Sequence, residues 1–182
     1  MALEVSMKVP SLVMAFALSI AAVAWAVPQP GRALPAVSVT DLAGTRHTER
    51  DLTGQWTVAF AMTDKDVGAN VTAWWRQIEG RVPPSTRLLT FVALDLFALV
   101  PTATVVSQAR EATPRSRWHT VWFSRDGSFA GQLGLPESEI PWVFVLDPSG
   151  RVVESLHADV DAAGVARVVA AITAAHSANA AP

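Results

Sequence analysis

Apolar runs of strand length recur along the chain and alternate with polar or amphipathic stretches. Five such runs predict buried strands, and they cover residues 56–62, 87–95, 119–123, 142–146 and 151–156. Ahead of them, residues 37–39 and 46–52 flank a turn at residues 41–44, and together these predict a β-hairpin. Residues 147–150 (DPSG) carry a second turn signal, so the last two strands are predicted to pair as a hairpin.

Helical periodicity appears between these strands. The first amphipathic segment has apolar residues spaced i, i+3, i+4 and i+7 and ends at Gly80; these residues are Val71, Trp74, Trp75 and Ile78. A second, weaker helix is predicted over residues 101–111, and a closing helix over residues 165–172. Strands that alternate with helices indicate parallel βαβ units, and the final strand pair adds an antiparallel edge. The predicted fold class is therefore α/β with a mixed central sheet.

The first 26 residues carry the pattern of a secretory signal peptide. Lys8 precedes an apolar run at residues 12–25, and residues 24–26 (AWA) match the small-residue cleavage pattern. The run is shorter than the roughly 20 residues of a membrane span, although an uncleaved anchor is the alternative. We therefore expect cleavage before Val27, a periplasmic or secreted location, and no stable membrane span after cleavage.

The rest of the chain has the length and charge of one ordinary domain. We predict a flexible linker at residues 27–35, the folded domain at residues 36–175, and a tail at residues 176–182. The net charge is −2, and no predicted strand or helix collects Lys and Arg. Because a basic face is the electrostatic mark of nucleic-acid binding, this partner class is excluded.

The chain contains no cysteine. The absence of cysteine excludes a thiolate nucleophile, disulfide exchange and a Cys-ligated metal. It does so even though disulfides persist in the compartments that contain exported proteins. No P-loop, dinucleotide fingerprint or nucleophile elbow is present, and no two of the four histidines have metal-ligand spacing. The sequence therefore predicts no catalytic residue, no metal and no cofactor.

Three stretches resemble the thioredoxin-like superfamily, in particular its exported peroxiredoxin and thiol–disulfide-interchange branch. Residues 37–56 (VSVTDLAGTRHTERDLTGQW) resemble its entry hairpin, and residues 119–135 (HTVWFSRDGSFAGQLGL) resemble its aspartate- and glycine-containing segment. Residues 140–153 (IPWVFVLDPSGRVV) resemble the proline, strand and hairpin that follow. The resemblance implies a three-layer sandwich with an N-terminal β-hairpin extension, and short cysteine-poor members such as the periplasmic YtfJ-like group are also similar.

The resemblance also implies where a binding surface would lie. In the superfamily, the proline that matches Pro141 follows a cis peptide bond and faces the active-site loop; an ordinary trans proline at a strand start is the alternative. Here that loop lacks thiols but contains Asp64 and Asp66, near the carboxyl ends of the parallel strands, where open α/β sheets bind ligands. Ile140 and Trp142 flank the proline. These five residues are our predicted binding site, and we call them the rim.

Two functions stay open at this point. The first is a redox-inactive exported thioredoxin-like protein that binds or helps to assemble another exported protein through the rim, without thiol-dependent oxidoreductase or peroxidase activity. The alternative is an enzyme of unknown type that holds a cation such as Ca²⁺ on Asp64, Asp66 and Asp95. Capping of the next helix by Asp66 or Asn70 is a simpler explanation for the same polar loop.

Overall fold

The structure, a computed structural model, describes residues 27–96 and 101–179, with side chains up to residue 174. The predicted signal peptide at residues 1–26 lies outside these ranges. Within them, no helix combines the length and the apolar character needed to cross a membrane.

Seven strands and four α-helices follow one another in the described residues. The strands are β1 (Ser38–Asp41), β2 (Arg46–Thr48), β3 (Thr57–Met62), β4 (Arg87–Ala93), β5 (Val121–Ser124), β6 (Trp142–Leu146) and β7 (Val152–His157). The helices are α1 (Gly68–Ile78), α2 (Thr102–Ala112), α3 (Ser128–Leu133) and α4 (Ala162–Asn179). Short 3₁₀ turns cover Glu49–Leu52, Lys65–Val67 and Arg115–Thr120.

The predicted strands and helices are all present, with one additional helix and differences at the ends of some elements. Helix α3 was not predicted, because six residues are too few to show a helical stripe. Strand β5 begins two residues later than predicted, because His119 and Thr120 belong to the preceding 3₁₀ turn. Helix α4 continues to Asn179, so it extends into the segment predicted as a tail.

All seven strands join one mixed sheet in the order β2-β1-β5-β4-β3-β6-β7. Strands β3, β4 and β5 are parallel, whereas the first hairpin and the last hairpin pair antiparallel with their neighbours. The parallel strands give the sheet two distinct ends. We call the end that follows Met62 and Ala93 the C-terminal edge, and the end that precedes Thr57 and Arg87 the N-terminal edge.

Side chains that alternate along the strands form an apolar layer on each face of the sheet. Strand β3 is buried at every position, as expected for a central strand that is covered on both sides. One layer packs against α3 and includes Ala59, Phe91, Trp122, Phe129 and Phe144. The other packs against α1 and α4 and includes Phe60, Trp74, Val143, Val168 and Ile172. The sheet thus lies between two helical layers, as predicted.

The contact between α1 and α4 is unusually close at one point. A Cβ atom at Gly164 would lie 2.8 Å from the Trp74 ring, so only glycine fits there without a shift. The fully buried Trp74 indole donates a hydrogen bond to the Ala158 carbonyl at 3.2 Å. Trp74 therefore ties α1 both to α4 and to the loop that precedes α4.

The segment at residues 27–35, which we predicted as a flexible linker, contacts the folded domain. Pro28 and Leu34 are buried, and the Gly31 N–H donates to the Val152 carbonyl at 2.8 Å. The Val152 N–H in turn donates to the Arg32 carbonyl at 2.8 Å. Because these backbone bonds lie along the outer side of β7, the segment covers the start of an otherwise open edge strand.

Candidate functional site

The loop that follows β3 is tied to the loop that precedes β6 by one buried hydroxyl. Thr63 donates to the Pro136 carbonyl and accepts from the Ser138 N–H, both at 3.0 Å. Both partners are backbone groups, so the hydroxyl fixes the course of residues 136–138 at the C-terminal edge. Sequence reasoning did not single out Thr63.

The two rim aspartates have local partners. Asp64 caps the 3₁₀ turn Lys65–Val67, because its Oδ1 accepts the Asp66 N–H at 2.7 Å. Asp66 is exposed and forms an ion pair with Lys65, and this hydrogen bond raises the pKa of Lys65. Neither Asp66 nor Asn70 caps α1 as we had suggested, since the turn itself leads into the helix.

The three aspartates that we suggested as cation ligands, Asp64, Asp66 and Asp95, do not form a metal-binding group in the structure. Asp95 pairs with Asp126 in an isolated backbone bridge, whereas Asp64 caps the 3₁₀ turn at residues 65–67. Among the residues that the structure describes, no three His, Asp or Glu side chains are placed to hold a metal ion. A cation bound by Asp64, Asp66 and Asp95 would need 6–8 oxygen ligands, which this arrangement does not offer.

The prediction of a cis bond before Pro141 is wrong. No peptide bond in the described part of the chain is cis, so Ile140–Pro141 is trans. Pro141 is buried directly before β6, where its missing N–H costs the sheet nothing. Its carbonyl accepts the Ala158 N–H at 3.3 Å. X–Pro bonds favour trans by about 0.5–1 kcal/mol, and the ordinary strand-start alternative is the one observed.

Trp142, the first residue of β6, belongs to a stacked cluster. Its indole lies 3.8 Å from the His157 ring, centroid to centroid, with an interplanar angle of 6°. The Ser138 Oγ lies 2.7 Å from His157 Nε2 and accepts the Ile140 N–H at 3.0 Å. Ser138 and His157 were not predicted, yet they hold Ile140 and Trp142 in place.

A serine at 2.7 Å from a histidine has the spacing of a nucleophile and its base. In a catalytic triad, a third group holds the other ring nitrogen of the histidine. No described residue forms a hydrogen bond or ion pair with Nδ1 of His157, and the ring is held by its stack on Trp142 instead. We therefore assign Ser138 and His157 a positioning role.

The Trp142 indole has one further property. In the described residues its buried Nε1 has no hydrogen-bond partner. An unpaired buried donor costs about 1–3 kcal/mol of stability. The rim thus keeps a polar group to which no described residue offers a hydrogen bond.

Asn70, at the start of α1, ties a third loop to the same edge. Its Nδ2 donates to Asp159, and its Oδ1 accepts the Val160 N–H at 3.2 Å. The loop that follows β7 is therefore anchored to α1. The structure brings Ile140, Pro141 and Trp142 together, whereas no described hydrogen bond or ion pair joins Asp64 or Asp66 to them; Thr63 and Ser138 form the link between the two groups.

No known sequence family matches the chain, and no curated protein matches it in sequence. Solved structures do match. An exposed lipoprotein thioredoxin from Streptococcus pneumoniae has a TM-score of 0.53 at 10% identity, over 74% of this chain and 97% of that one. The DsbF protein of MTB has a TM-score of 0.55 at 17% identity, over 81% and 99%. BsSco, a member of the Sco family of cytochrome c oxidase assembly proteins, has a TM-score of 0.55 at 13% identity, over 81% and 98%.

These matches define the class of protein. Together with the seven-stranded mixed sheet, they show that the fold is thioredoxin-like, which confirms the predicted fold class. At such low identities they establish the fold alone. The chain carries this fold without any cysteine.

Proposed function

We propose that this chain is a redox-inactive, exported thioredoxin-like protein that binds a segment of another exported protein at the rim. The observation that carries the proposal is the way the C-terminal edge is built. Thr63, Ser138 and Asn70 cross-tie three loops there, although no thiol is present to be positioned. A surface that is ordered in advance loses less entropy when a partner binds.

The charges around the rim indicate the kind of partner segment. Glu137 and Glu139 are both exposed and flank Ser138. Lys65, the base in the neighbouring loop, is held by Asp66. Complementary charges favour encounter with the correct partner. The partner segment is therefore one that carries Lys or Arg beside an apolar side chain that can contact Ile140.

Location is part of this proposal. Residues 1–26 act as a signal peptide, and the protein works in the periplasm or outside the cell. The export pattern of the sequence supports this, and one structural neighbour is itself an exposed lipoprotein. Within the superfamily, we propose that the chain is related to the cysteine-poor YtfJ-like group.

The absence of thiols gives the first test. Thiol–disulfide exchange proceeds by attack of a thiolate, and the chain has none. Insulin reduction, disulfide isomerisation and thiol-dependent peroxide turnover should all proceed no faster with the protein than in buffer alone. Turnover by the pure protein in any of these assays would contradict the proposal.

Site-directed photo-crosslinking in the exported, full-length protein tests partner binding. A photo-crosslinking amino acid replaces Glu139 in one variant and Ser107, which is exposed on α2, in the matched control. We expect a discrete adduct only from position 139, and we expect Glu137→Lys in the same chain to abolish it. Equal adducts from both positions, or an adduct that Glu137→Lys leaves unchanged, would contradict the proposal.

A further inference from the structure

A cavity of about 790 Å³ opens at the N-terminal edge, at the opposite end of the parallel strands from the rim. It lies where β3, β4 and β5 begin, and Gln55, Arg87 and Thr120 line it at those points. Helix α1 contributes Trp75, and β5 contributes Trp122. The volume is in the range of pockets that hold small molecules, and polar and aromatic side chains share the lining.

Arg87 is the unusual residue of this cavity. Its guanidinium is half-buried, and Nε and Nη2 both donate to one acceptor, the Thr57 hydroxyl, at 3.2 and 3.1 Å. No described carboxylate lies within ion-pair distance of it. Burial lowers the pKa of Arg87, and the charge of Asp51 opposes this effect only in part. Of the five N–H groups of a guanidinium, two are used here and the other three have no acceptor among the described residues.

The other charges around the cavity already have partners. His47 Nε2 lies 2.9 Å from the buried carboxylate of Asp41, and the ring stacks on Trp122. Burial raises the pKa of Asp41, but the hydrogen bonds from His47 and from a backbone N–H outweigh it and hold the pKa below its usual value. Asp51 accepts the Thr48 N–H at 2.7 Å. Both acidic groups lie within ion-pair distance of His47, and neither forms an ion pair with Arg87.

Glu79 is the second carboxylate of the lining, and it is neutralised in the same way. Arg117 binds it at 3.0 Å and lies over the Trp75 ring at 4.9 Å. His119, which also lines the cavity, is exposed and has no hydrogen-bond partner among the described residues. Arg87 and His119 therefore both keep N–H groups without an acceptor among the described residues, and neither lining carboxylate forms an ion pair with Arg87.

Thr86 provides a second, independent anomaly beside Arg87. The residue is only 9% exposed, and its buried Oγ1 has no hydrogen-bond partner in the described part of the chain. Unpaired buried polar groups and unpaired charges both cost stability. Two adjacent residues that line one cavity thus carry polar groups for which no described residue provides a partner.

We propose that this cavity binds a small oxyanion, a phosphate or carboxylate group, on the guanidinium of Arg87 with His119 as a second donor. Guanidinium N–H groups bind planar carboxylates and phosphates with two parallel hydrogen bonds, which a lysine cannot reproduce. The anion supplies the counter-charge that Arg87 lacks. This site is at the far end of the strands from the rim and does not depend on the function proposed there.

Isothermal titration of the pure protein with inorganic phosphate, and separately with acetate, tests the site at constant pH and ionic strength with chloride as the control anion. We expect saturable binding of at least one of them, and we expect Arg87→Gln to weaken it by at least about tenfold through the loss of charge-assisted hydrogen bonds. Arg81→Gln is the matched control. Arg81 is exposed, its guanidinium donates to the Gln77 side chain, and it does not line the cavity, so this variant should bind as the wild type does.

An NMR titration of the wild type locates the anion even if the Arg87 variant does not fold. The indole N–H signals of Trp75 and Trp122 should shift with added phosphate or acetate, because both rings line the cavity. The indole signal of Trp142, at the rim, should not shift. A preference for phosphate or for acetate identifies the ligand class. No saturable binding up to about 10 mM, an Arg87→Gln variant that binds as tightly as wild type, or a shift confined to Trp142 would overturn the proposal.

Discussion

The two ends of the parallel strands differ in how fully selected polar side chains are hydrogen-bonded. At the C-terminal edge, Thr63, Ser138 and Asn70 each make two hydrogen bonds that tie loops together. At the N-terminal edge, Arg87 shares one hydroxyl acceptor between two donors, and Thr86 has no described partner for its hydroxyl. Thr63, Ser138 and Asn70 therefore hold a shape at the first end, and Arg87 and Thr86 at the second end keep polar groups that are available to a ligand.

This contrast changes where chemistry should be sought in the molecule. The resemblance places a thiol loop at the C-terminal edge, and there the chain has hydrogen bonds between loops instead. Such bonds make a fixed surface that suits the binding of a partner segment. A ligand that needs charge and hydrogen bonds finds them at the N-terminal edge, around Arg87.

The largest expected effect comes from the ring at the centre of the rim. Trp142→Ala removes an indole that packs against the core and stacks on His157, and we expect it to lower the free energy of unfolding by about 3 kcal/mol or more. Urea unfolding measures the loss. Trp142→Phe keeps a ring and discards the unpaired Nε1, so its loss should be about 1 kcal/mol or less. Equal losses in the two variants would show that the ring does not fix the rim.

A smaller effect is expected from the hydroxyl that links the loops. Thr63→Val preserves the shape of the side chain but leaves the Ser138 N–H and the Pro136 carbonyl without their partner. We expect a loss of about 1–3 kcal/mol in the free energy of unfolding. Thr40→Val, at an exposed position of β1, is the control and should change stability by less than about 0.5 kcal/mol. A Thr63 variant as stable as the control would mean that the cross-tie does not hold the edge.

The smallest effect concerns acid stability at the end of β5. Hydrogen bonds from Ser128 and Ser124 lower the pKa of Asp126 to about 2. Because the pKa is lowered on folding, the ionised group stabilises the fold above its unfolded pKa of about 4, and this contribution is lost as the pH falls towards 2. We expect the wild type to lose more stability than Asp126→Asn between pH 4 and pH 2. Thermal melts across that range measure the difference, and superimposable profiles would contradict it.

The periodicity of the sequence was enough to predict the architecture, but not the contacts that build the rim. Residue Val153 is an extra residue in β7, and the shift it introduces places His157, instead of Leu156, opposite Trp142. A regular hairpin would have given the other partner, because a shift of one residue turns every side chain to the other face. The link from Thr63 to Ser138 spans 75 residues and leaves no local pattern.

Two further differences have their own causes. The cis bond at Pro141 was expected from the resemblance alone, and the bond takes the trans form that X–Pro bonds generally favour. In the sequence, Arg87 is simply a polar residue at the start of a predicted apolar strand. Only the assembled structure shows that its guanidinium is half-buried and lacks a counter-charge among the described residues.

The most direct test of the contrast between the two ends is the unfolding free energy of Arg87→Met measured beside that of Thr63→Val. Methionine removes a half-buried charge that has no described ion-pair partner, so we expect Arg87→Met to change stability by less than about 1 kcal/mol or to raise it. Thr63→Val should lose about 1–3 kcal/mol in the same urea titration. If Arg87→Met is destabilised as much as Thr63→Val, the arginine is a structural tie like those at the rim, and the two ends do not differ as we conclude.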